Sequence, residues 1–343
     1  MRGKLSSAVK DLSLSDNAEY IVATGDNNYI KLLNCHQAHL AYGEHKTTNP
    51  VEFLSKGVVT SIDICNKMNQ FVSGGEKVEL WDITKSMLVE DFKWGYDTVM
   101  KVRINPVEQN LILCSSIDRG LYLHDTRLRS NLNKIYMPNK NSAICWNPME
   151  PFNFIAGNED GNIYTFDMRQ LDSAKMIHKD HIGAVLDVDF SPTGREFVSG
   201  SFDKTVRIFD YNKGKSKECY HGKRMQKVFS VCWSVDSKYI FSGSEDTNLR
   251  VWKAESHVKV GNVSEREKTK MEYRDKLVNR FKYNNDIRKI KKTHLPKYIL
   301  NARKKGHVMR ESKYRKQENR KINNEAEYDE PIPERQKKVI GQE

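Results

Sequence analysis

Several signatures of membrane proteins, secreted proteins and enzymes are missing from this sequence. No apolar run approaches the ~20 residues that a membrane-spanning helix needs, and the basic start Met1–Leu5 is not followed by the apolar core of a secretory signal. The Gly-x-x-x-x-Gly-Lys phosphate loop, the Gly-x-Gly-x-x-Gly fingerprint and the His-Glu-x-x-His zinc motif are absent. The sequence therefore predicts a soluble, non-enzymatic protein with no cofactor, no metal, no membrane contact and no small-molecule substrate.

Paired cysteines are also missing. The six cysteines form no Cys-x-x-Cys motif. Four of them, Cys65, Cys114, Cys145 and Cys232, fall inside strand patterns, where a reduced and buried thiol is the ordinary state. This usage favours the cytosol or the nucleus.

Most of the chain has no excess of charge. The whole sequence contains 57 Lys+Arg and 45 Asp+Glu. Residues 254–343 contain 25 Lys+Arg and 14 Asp+Glu, which leaves 32 Lys+Arg and 31 Asp+Glu in the nearly neutral residues 1–253. Almost the whole basic excess therefore lies in the last quarter of the chain. A neutral scaffold with a cationic appendage is typical of a protein that lies beside a polyanion.

A unit of about 43 residues repeats along the chain. In its clearest copy, Ala184–Asp210, apolar and polar residues alternate and polar turns separate what we read as four short strands. An aromatic residue or histidine recurs at intervals of 42 or 43 residues, at Trp81, His124, Phe166, Phe209 and Trp252. This period, together with the Trp81-Asp82 dipeptide, is typical of a WD-repeat propeller.

The repeats define the domain organisation. Six units cover about residues 6–34, 58–83, 99–126, 142–168, 184–210 and 227–253. We therefore predict an all-β WD-repeat propeller over 1–253, with a polar surface insertion over Cys35–Gly57. A basic helical extension follows over 254–323, and residues 324–343, which are acidic and contain two prolines, are expected to be disordered when free.

One polar cluster could be mistaken for a hydrolase site. His181, Ser199 and Asp203 are expected to lie together at the end of the fifth blade, where Asp203 accepts local backbone N–H groups. A matching Asp occurs in four other blades, and a catalytic site needs one nucleophile, not a periodic array. His178 and His181 could form a metal pair, but no Cys or Glu lies at ligand spacing. We interpret all four residues as structural.

After Trp252 the pattern changes from strand to helix. Ser264–Glu267 forms a capping box, and Tyr273, Leu277 and Phe281 then recur every fourth residue on one face. This predicts a helix over about 265–283 whose apolar stripe docks on protein, either on the side of the propeller or in a groove of a partner.

A second helix is predicted from about Lys297 to Asn323, because Pro296 suits the first turn. It is polar on most sides and strongly basic, which fits either a solvated helix with a nuclear-import signal or a helix that contacts phosphates. Interleaved tyrosines favour nucleic acid. The predicted RNA-binding residues are Arg288, Lys289, Lys291, Lys292, Arg303, Lys304, Lys305, Arg315 and Lys316.

Short motifs in the tail and in the later blades match one known family. They are Val251–Ala254, Ser264–Lys268, Tyr273, Lys276-Leu277, Arg280-Phe281, Ile287–Ile290, His294–Lys297 and Arg315-Lys316, with Ile144–Glu150, Tyr164–Arg169 and Ala184–Asp189 upstream. In these motifs the chain resembles the Sof1 family of WD-repeat proteins, over about residues 58–322.

The resemblance implies a function that composition cannot show. It implies a protein of the nucleus and nucleolus that belongs to the small-subunit processome and associates with the U3 small nucleolar ribonucleoprotein. Its expected partners are pre-ribosomal RNA or U3 RNA and other processome proteins, and its expected role is in maturing the small-subunit ribosomal RNA.

The family usually has seven blades, whereas this chain shows six and begins inside what would be the second. Either the protein is a reduced form with six blades or its start is incomplete. The sequence therefore leaves two alternatives for the closure of the ring, because a missing blade exposes sheet edges that the chain itself or a partner must cover.

A second function is implied by some relatives, which act as substrate receptors of a cullin-based ubiquitin ligase through a Trp-Asp-x-Arg signature. The nearest matches here are His124–Arg127 and Phe166–Arg169, both without the Trp. Arg127 and Arg169 are therefore either docking residues for a ligase adaptor or partners of a carboxylate on the adjacent blade.

Overall fold

Alternating apolar residues and tight polar turns fold the first three quarters of the chain into short antiparallel strands. The computed structural model describes residues 8–15, 17–35, 51–65, 69–92, 97–128, 131–256, 261–288, 295–323 and 332–342. Six sheets follow one another along the sequence, and each sheet is one blade of a β-propeller. The prediction of a propeller with six recognisable blades is confirmed.

The blades are built from consecutive strands. Blade 1 contains β1 (Val9–Leu14), β2 (Tyr20–Gly25), β3 (Tyr29–Asn34) and β4 (Val51–Leu54), and blade 2 contains β5 (Ser61–Cys65), β6 (Gln70–Gly74), β7 (Val78–Asp82) and β8 (Met87–Phe92). Blade 3 contains β9 (Val99–Ile104), β10 (Leu111–Ser116), β11 (Gly120–Asp125) and β12 (Asn131–Tyr136), and blade 4 contains β13 (Asn141–Trp146), β14 (Asn153–Asn158), β15 (Asn162–Asp167) and β16 (Met176–Lys179). Blade 5 contains β17 (Val185–Phe190), β18 (Glu196–Ser201), β19 (Val206–Asp210) and β20 (Ser216–Tyr220), and blade 6 contains β21 (Val228–Trp233), β22 (Tyr239–Ser244) and β23 (Leu249–Lys253).

Two outer strands were not where the sequence placed them. Ala184–Asp210 contains three strands, not four, and the fourth is β20 at Ser216–Tyr220. Similarly, β4 at Val51–Leu54 lies inside the segment that was predicted to be a surface insertion. These outer strands are half exposed, as the mixed burial of β8 shows. Their apolar alternation is therefore weak, and only the three inner strands have a clear pattern.

The core lies between adjacent blades, and carboxylates on the innermost strands link each blade to the next. Asp63 on β5 accepts the backbone N–H of Ile104 on β9 at 2.7 Å. Asp189 on β17 accepts the N–H of Trp233 on β21 at 2.6 Å. Burial raises the pKa of Asp189 to about 6, although the Trp233 hydrogen bond opposes this shift.

The two ends of the row of blades present apolar faces. In blade 1, Leu12 and Leu14 are 58% and 56% exposed, and in blade 6, Leu249 and Val251 are 84% and 60% exposed. Blade 6 also has three strands among the described residues, whereas the other blades have at least four. Among the described residues, the outer faces of the first and last blades therefore keep exposed apolar side chains.

Four helices and one short strand follow the propeller in the described residues. They are α1 (Glu265–Arg280), α2 (Asn285–Arg288), α3 (Lys297–Asn323), α4 (Glu334–Lys337) and β24 (Gly341–Gln342). The predicted bounds of the long basic helix agree with α3, and α1 ends three residues before its predicted end. None of the described helices is both long and apolar enough to cross a membrane.

The C-terminal segment differs from the prediction of disorder. Residues 332–342 lie on the propeller, where β24 pairs antiparallel with β12 and so adds a fifth strand to the sheet of blade 3. The backbone N–H of Ile340 donates to the carbonyl of Tyr136 at 2.8 Å. Because strand addition depends on backbone groups and on one apolar residue, Val339, average composition does not reveal it. Residues 324–331 lie outside the described residues.

Candidate functional site

The propeller has two faces with different turns. We call the face that carries the turns between the second and third strands of each blade the upper face; Asp203, between β18 and β19, lies there. The lower face carries the turns between the first and second strands, and the third strands end there, as β11 does at Asp125. Because adjacent strands are antiparallel, these positions lie at opposite ends of a blade.

The cluster of His181, Ser199 and Asp203 is a buried structural network on the upper face. His181 Nδ1 lies 3.0 Å from Asp203 Oδ2, and His181 Nε2 lies 2.7 Å from Ser199 Oγ. Asp203 also accepts hydrogen bonds from the backbone N–H groups of Ile182 and Thr205. Burial alone would raise the pKa of Asp203, but the charge and hydrogen bond of His181 and the Thr205 hydroxyl outweigh it and hold this pKa well below its usual range.

The predicted proximity of His181, Ser199 and Asp203 is confirmed. His178, the other histidine of the predicted pair, also has two hydrogen-bond partners within the protein. His178 Nε2 lies 3.0 Å from Thr165 Oγ1, and His178 Nδ1 lies 2.8 Å from the carbonyl of Lys213. Burial lowers the pKa of His178 to about 4, so its imidazole is neutral at pH 7. Both ring nitrogens of each histidine have protein partners, which supports the structural interpretation over a metal pair. Among the described residues, no group of three or more His, Cys, Asp or Glu side chains has the arrangement of a metal site.

The start of α3 is anchored on blade 5. The Tyr298 hydroxyl donates to the main-chain carbonyl of Asp203, and the Ile299 side chain is fully buried. The Arg303 guanidinium pairs with Asp180, which directly follows β16. We call these three residues the α3 anchor.

Asp180 is the charged centre of this contact. Its other oxygen accepts the Ser216 backbone N–H at 2.7 Å, and the buried Arg207 lies 3.8 Å away. Burial raises the pKa of Asp180, but the hydrogen bonds from Ser216 and the two arginines outweigh it, and the net shift is downward. The sequence placed Arg303 among the RNA-binding residues; in the structure its charge is paired within the protein.

The end of the tail returns to the propeller at a second place. Lys338 Nζ lies 2.8 Å from Asp160 Oδ2 in the upper turn of blade 4, and Glu334 pairs with Lys179. Together with the β24 pairing, these contacts fix residues 332–342 on blades 3 and 4. The tail is therefore attached before and after the exposed length of α3.

The remaining predicted RNA-binding residues divide into two groups. Lys304, Lys305, Arg315 and Lys316 are exposed on α3, and none has an ion pair among the described residues. The side chain of Arg288, at the end of α2, lies outside the described residues, as do Lys289, Lys291 and Lys292. Over its whole length α3 contains ten Lys+Arg and two Asp+Glu. Beyond its anchor, α3 is therefore a cationic helix open to solvent.

The apolar stripe of α1 is not covered by the propeller. Tyr273 and Phe281 are 66% and 49% exposed, Leu277 is partly exposed, and no residue of α1 is buried. The sequence suggested that this stripe docks either on the side of the propeller or in a groove of a partner. In the described residues it does not dock on the propeller. The stripe remains a candidate for a partner's groove.

Arg127 and Arg169 lie on the lower face of blades 3 and 4. Each forms a two-pronged ion pair with the Asp two residues before it: Arg127 with Asp125 at 2.9 and 2.7 Å, and Arg169 with Asp167 at 3.0 and 2.8 Å. The prediction that each arginine pairs with a carboxylate on the adjacent blade was wrong. At the end of the third strand each guanidinium turns back and pairs with an aspartate of its own strand. These hydrogen bonds lower the pKa of both aspartates, and both arginines stay about two-thirds exposed.

The two attachments of the tail were not predicted from the sequence. Tyr298 and Ile299 were visible as apolar residues in a polar helix directly after Pro296, and this signal could have identified an anchor. At the C-terminus, Lys338–Ile340 places two β-branched residues after a cation, which is too short a pattern to predict a strand.

Family models match the second half of the chain. The model described as Sof1-like domain matches residues 254–339, and the model described as WD domain, G-beta repeat matches residues 174–210 and 214–253. The first of these matches contains the four helices α1–α4 and ends two residues before β24.

Whole-chain relatives match both parts together. "DDB1- and CUL4-associated factor 13" of Danio rerio is 43% identical over 297 residues, which are 86% of this chain and 66% of the relative. The protein of the same name in Xenopus laevis is 43% identical over 300 residues, 87% of this chain and 67% of the relative. "Protein SOF1" of Saccharomyces cerevisiae is 40% identical over 291 residues, 84% of this chain and 59% of the relative.

The chain thus spans 67% or less of the length of these relatives. The similarity nevertheless runs through the propeller and into the tail that follows it, so it covers more than the WD repeats that many unrelated proteins share. The chain belongs to the Sof1 family of WD-repeat proteins.

Proposed function

We propose that this protein is a non-enzymatic ribosome assembly factor of the small-subunit processome that acts in maturing the small-subunit ribosomal RNA. The propeller is the scaffold for other processome proteins, and the tail contacts RNA. The proposed partners are pre-ribosomal RNA or U3 small nucleolar RNA, and the proposed location is the nucleus and nucleolus. Family membership supports this proposal.

The observation that carries the proposal is the way α3 is presented. Its first two turns are fixed by Tyr298, Ile299 and Arg303, while the following residues expose cationic side chains without carboxylate partners among the described residues. A helix of 27 residues is about 40 Å long. Because α3 is anchored at one end, the helix is already oriented before it binds RNA. This orientation reduces the conformational entropy that the protein loses on binding.

Salt dependence of RNA binding tests the tail. We compare the unaltered chain with the triple variant Lys304→Gln, Lys305→Gln, Arg315→Gln. On single-stranded RNA each neutralised phosphate contributes about 0.7 to the slope of log affinity against log salt, so the triple variant should lose about 2 from that slope. The matched control is Lys85→Gln, Arg195→Gln, Lys238→Gln, which removes the same charges from the lower face. Equal slopes for the tail variant and the control would contradict a phosphate role for α3.

A second candidate function is a substrate receptor of a cullin-based ubiquitin ligase. It is favoured by the two exposed Asp-x-Arg pairs at equivalent positions of neighbouring blades, and by the relatives whose name includes DDB1 and CUL4. Pull-down of the ligase adaptor DDB1 by the intact chain, and its loss in Arg127→Ala or Arg169→Ala, would support this candidate. Because these arginines lie on the lower face, their variants should bind RNA normally. If the intact chain captures no DDB1, the ligase-receptor function is excluded.

A further inference from the structure

A second cationic surface lies on the upper face of blades 5 and 6, outside the basic tail. It is formed by the turn Phe202–Lys204 and by the loop His221–Lys227, which joins β20 to β21. We call it the upper patch. Its basic residues are Lys204, Lys223, Arg224 and Lys227. Because residues 1–253 are neutral as a whole, net charge does not reveal this local concentration.

A buried side chain and two hydrogen bonds attach the loop of the upper patch to its surroundings. Met225 is buried in the core between blades 5 and 6, and the backbone N–H of Gln226 donates to Ser244 Oγ at 3.1 Å. Lys204 Nζ reaches across from the neighbouring turn and donates to Gln226 Oε1 at 2.7 Å. The loop between β20 and β21 is therefore attached to its neighbours at Met225 and Gln226, while Lys223 and Arg224, directly before them, are exposed.

Little negative charge opposes these cations. Lys227 has a carboxylate neighbour, Glu245 at 3.6 Å, whereas Lys223 and Arg224 have no ion pair among the described residues. The nearby Asp203 is buried in its network with His181, and Asp246 is bound by Arg250. The upper patch therefore keeps a net positive charge that faces solvent.

An exposed aromatic ring lies within the cations. Phe202 is 49% exposed, and Lys227 Nζ lies 4.5 Å from the centroid of its ring. Phe202 does not belong to the buried cluster of blade 5, whose aromatic residues are Phe190, Phe197, Phe209 and Tyr211. Cations beside an accessible ring form the combination that binds a phosphate and stacks an adjacent base.

The upper patch is continuous with the start of the tail helix. Tyr298 donates to the carbonyl of Asp203, which lies between Phe202 and Lys204 in the chain. The first turn of α3, with Lys297, is therefore placed beside the upper patch.

We propose that the upper patch is a binding site for single-stranded RNA, with Lys223 and Arg224 contacting phosphates and Phe202 stacking one base. This inference rests on the proposed function, in that it extends the RNA path from α3 onto the propeller. Single-stranded RNA fits better than a duplex, because a base inside a duplex does not expose its face. It also fits better than an acidic protein segment, because carboxylates would use the cations and leave the ring unused.

The test measures affinity and salt slope with a fluorescent single-stranded RNA of about 20 nucleotides, longer than the site of one binding module. In the full chain, Lys223→Gln with Arg224→Gln should lower the salt slope by about 1.4. The matched control, Arg195→Gln with Lys238→Gln, removes one Lys and one Arg from the lower face of the same two blades and should leave the slope unchanged.

The aromatic role has its own signature. Phe202→Leu should weaken single-stranded binding by roughly 5- to 150-fold, the range that stacking of one base on a ring covers, without changing the salt slope. Phe202→Tyr keeps the ring and should bind like the unaltered chain. Thermal unfolding of each variant checks that the propeller is intact, and binding to the matching duplex should be insensitive to Phe202.

The outcomes separate this inference from the proposed function. If the tail variant loses affinity while Lys223, Arg224 and Phe202 variants bind normally, the upper patch is not an RNA site and the tail proposal stands. If the patch variants lose affinity and the tail variant does not, the patch is supported and the tail proposal fails. If a poly-glutamate peptide binds through Lys223 and Arg224, and RNA binding ignores Phe202, the site is one for acidic protein and the inference is wrong.

Discussion

Truncating Ile299 should release the start of α3 from blade 5 without unfolding the propeller. The Ile299 side chain is fully buried, whereas the hydrogen bond of Tyr298 and the partly exposed pair of Arg303 add less. Replacing a buried Ile by Ala costs about 2–5 kcal/mol. Because the cost falls on the docked helix, the opening equilibrium of α3 should rise roughly 30- to 5000-fold.

Hydrogen exchange measures this opening directly. In Ile299→Ala, backbone amides of residues 301–306 should exchange faster by that factor, while amides in β17–β19 keep their protection. The control is Ile322→Ala, the same substitution in the same helix at a side chain that is 69% exposed. Unchanged exchange at 301–306, or equal acceleration in the strands of blade 5, would refute the idea that the α3 anchor is a local attachment.

Three further predictions concern charges. Burial raises the folded-state pKa of Asp189 to about 6. The free energy of unfolding should therefore fall by about 3 kcal/mol as the pH rises from about 4 to 6 and this carboxyl group ionises. In urea unfolding, Asp189→Asn should be more stable than the unaltered chain at pH 7, and its stability should depend less on pH. The pKa of Asp203 is lowered in the fold, so the stability that its carboxylate contributes is present above about pH 4 and is lost as the pH falls further. Asp203→Asn should cost about 1–3 kcal/mol at pH 7 in the same assay, because it weakens the buried hydrogen bonds to His181 and Thr205. A neutral effect would contradict the buried His181 network. Lys338→Ala should raise exchange at the Ile340 amide several-fold, since a half-buried ion pair contributes about 1 kcal/mol, and unchanged exchange would show that β24 pairing alone holds the returning segment.

The sequence was informative where a pattern extends over many residues. The 43-residue period located the three inner strands of each blade, and Pro296 with the long basic run located α3. The outer strands such as β20 could not be placed, because a half-exposed strand has no strong alternation. The recurrence of a matching Asp in other blades indicated that Asp203, beside His181, has a structural role and not a catalytic one.

Features that depend on distant contacts were beyond the sequence. Arg303 reads as one more cation in a basic run, and only the fold shows that Asp180, which is remote in the chain, neutralises it. The two-pronged pairs of Arg127 and Arg169 depend on how the third strand ends, which spacing alone leaves open. The upper patch joins a turn and a loop from two blades within a neutral region, so neither segment is conspicuous by itself.

The central claim is that α3 and the adjoining upper face contact RNA while the lower face is left for proteins. Ultraviolet crosslinking of purified pre-ribosomal particles, followed by mass spectrometry of the crosslinked peptides, tests it most directly. We predict RNA adducts on peptides that contain Lys304–Arg315 and on the loop His221–Lys227, with none on the lower-face turns at Arg127 and Arg169. Adducts confined to the lower face, with α3 crosslinked to protein alone, would contradict it.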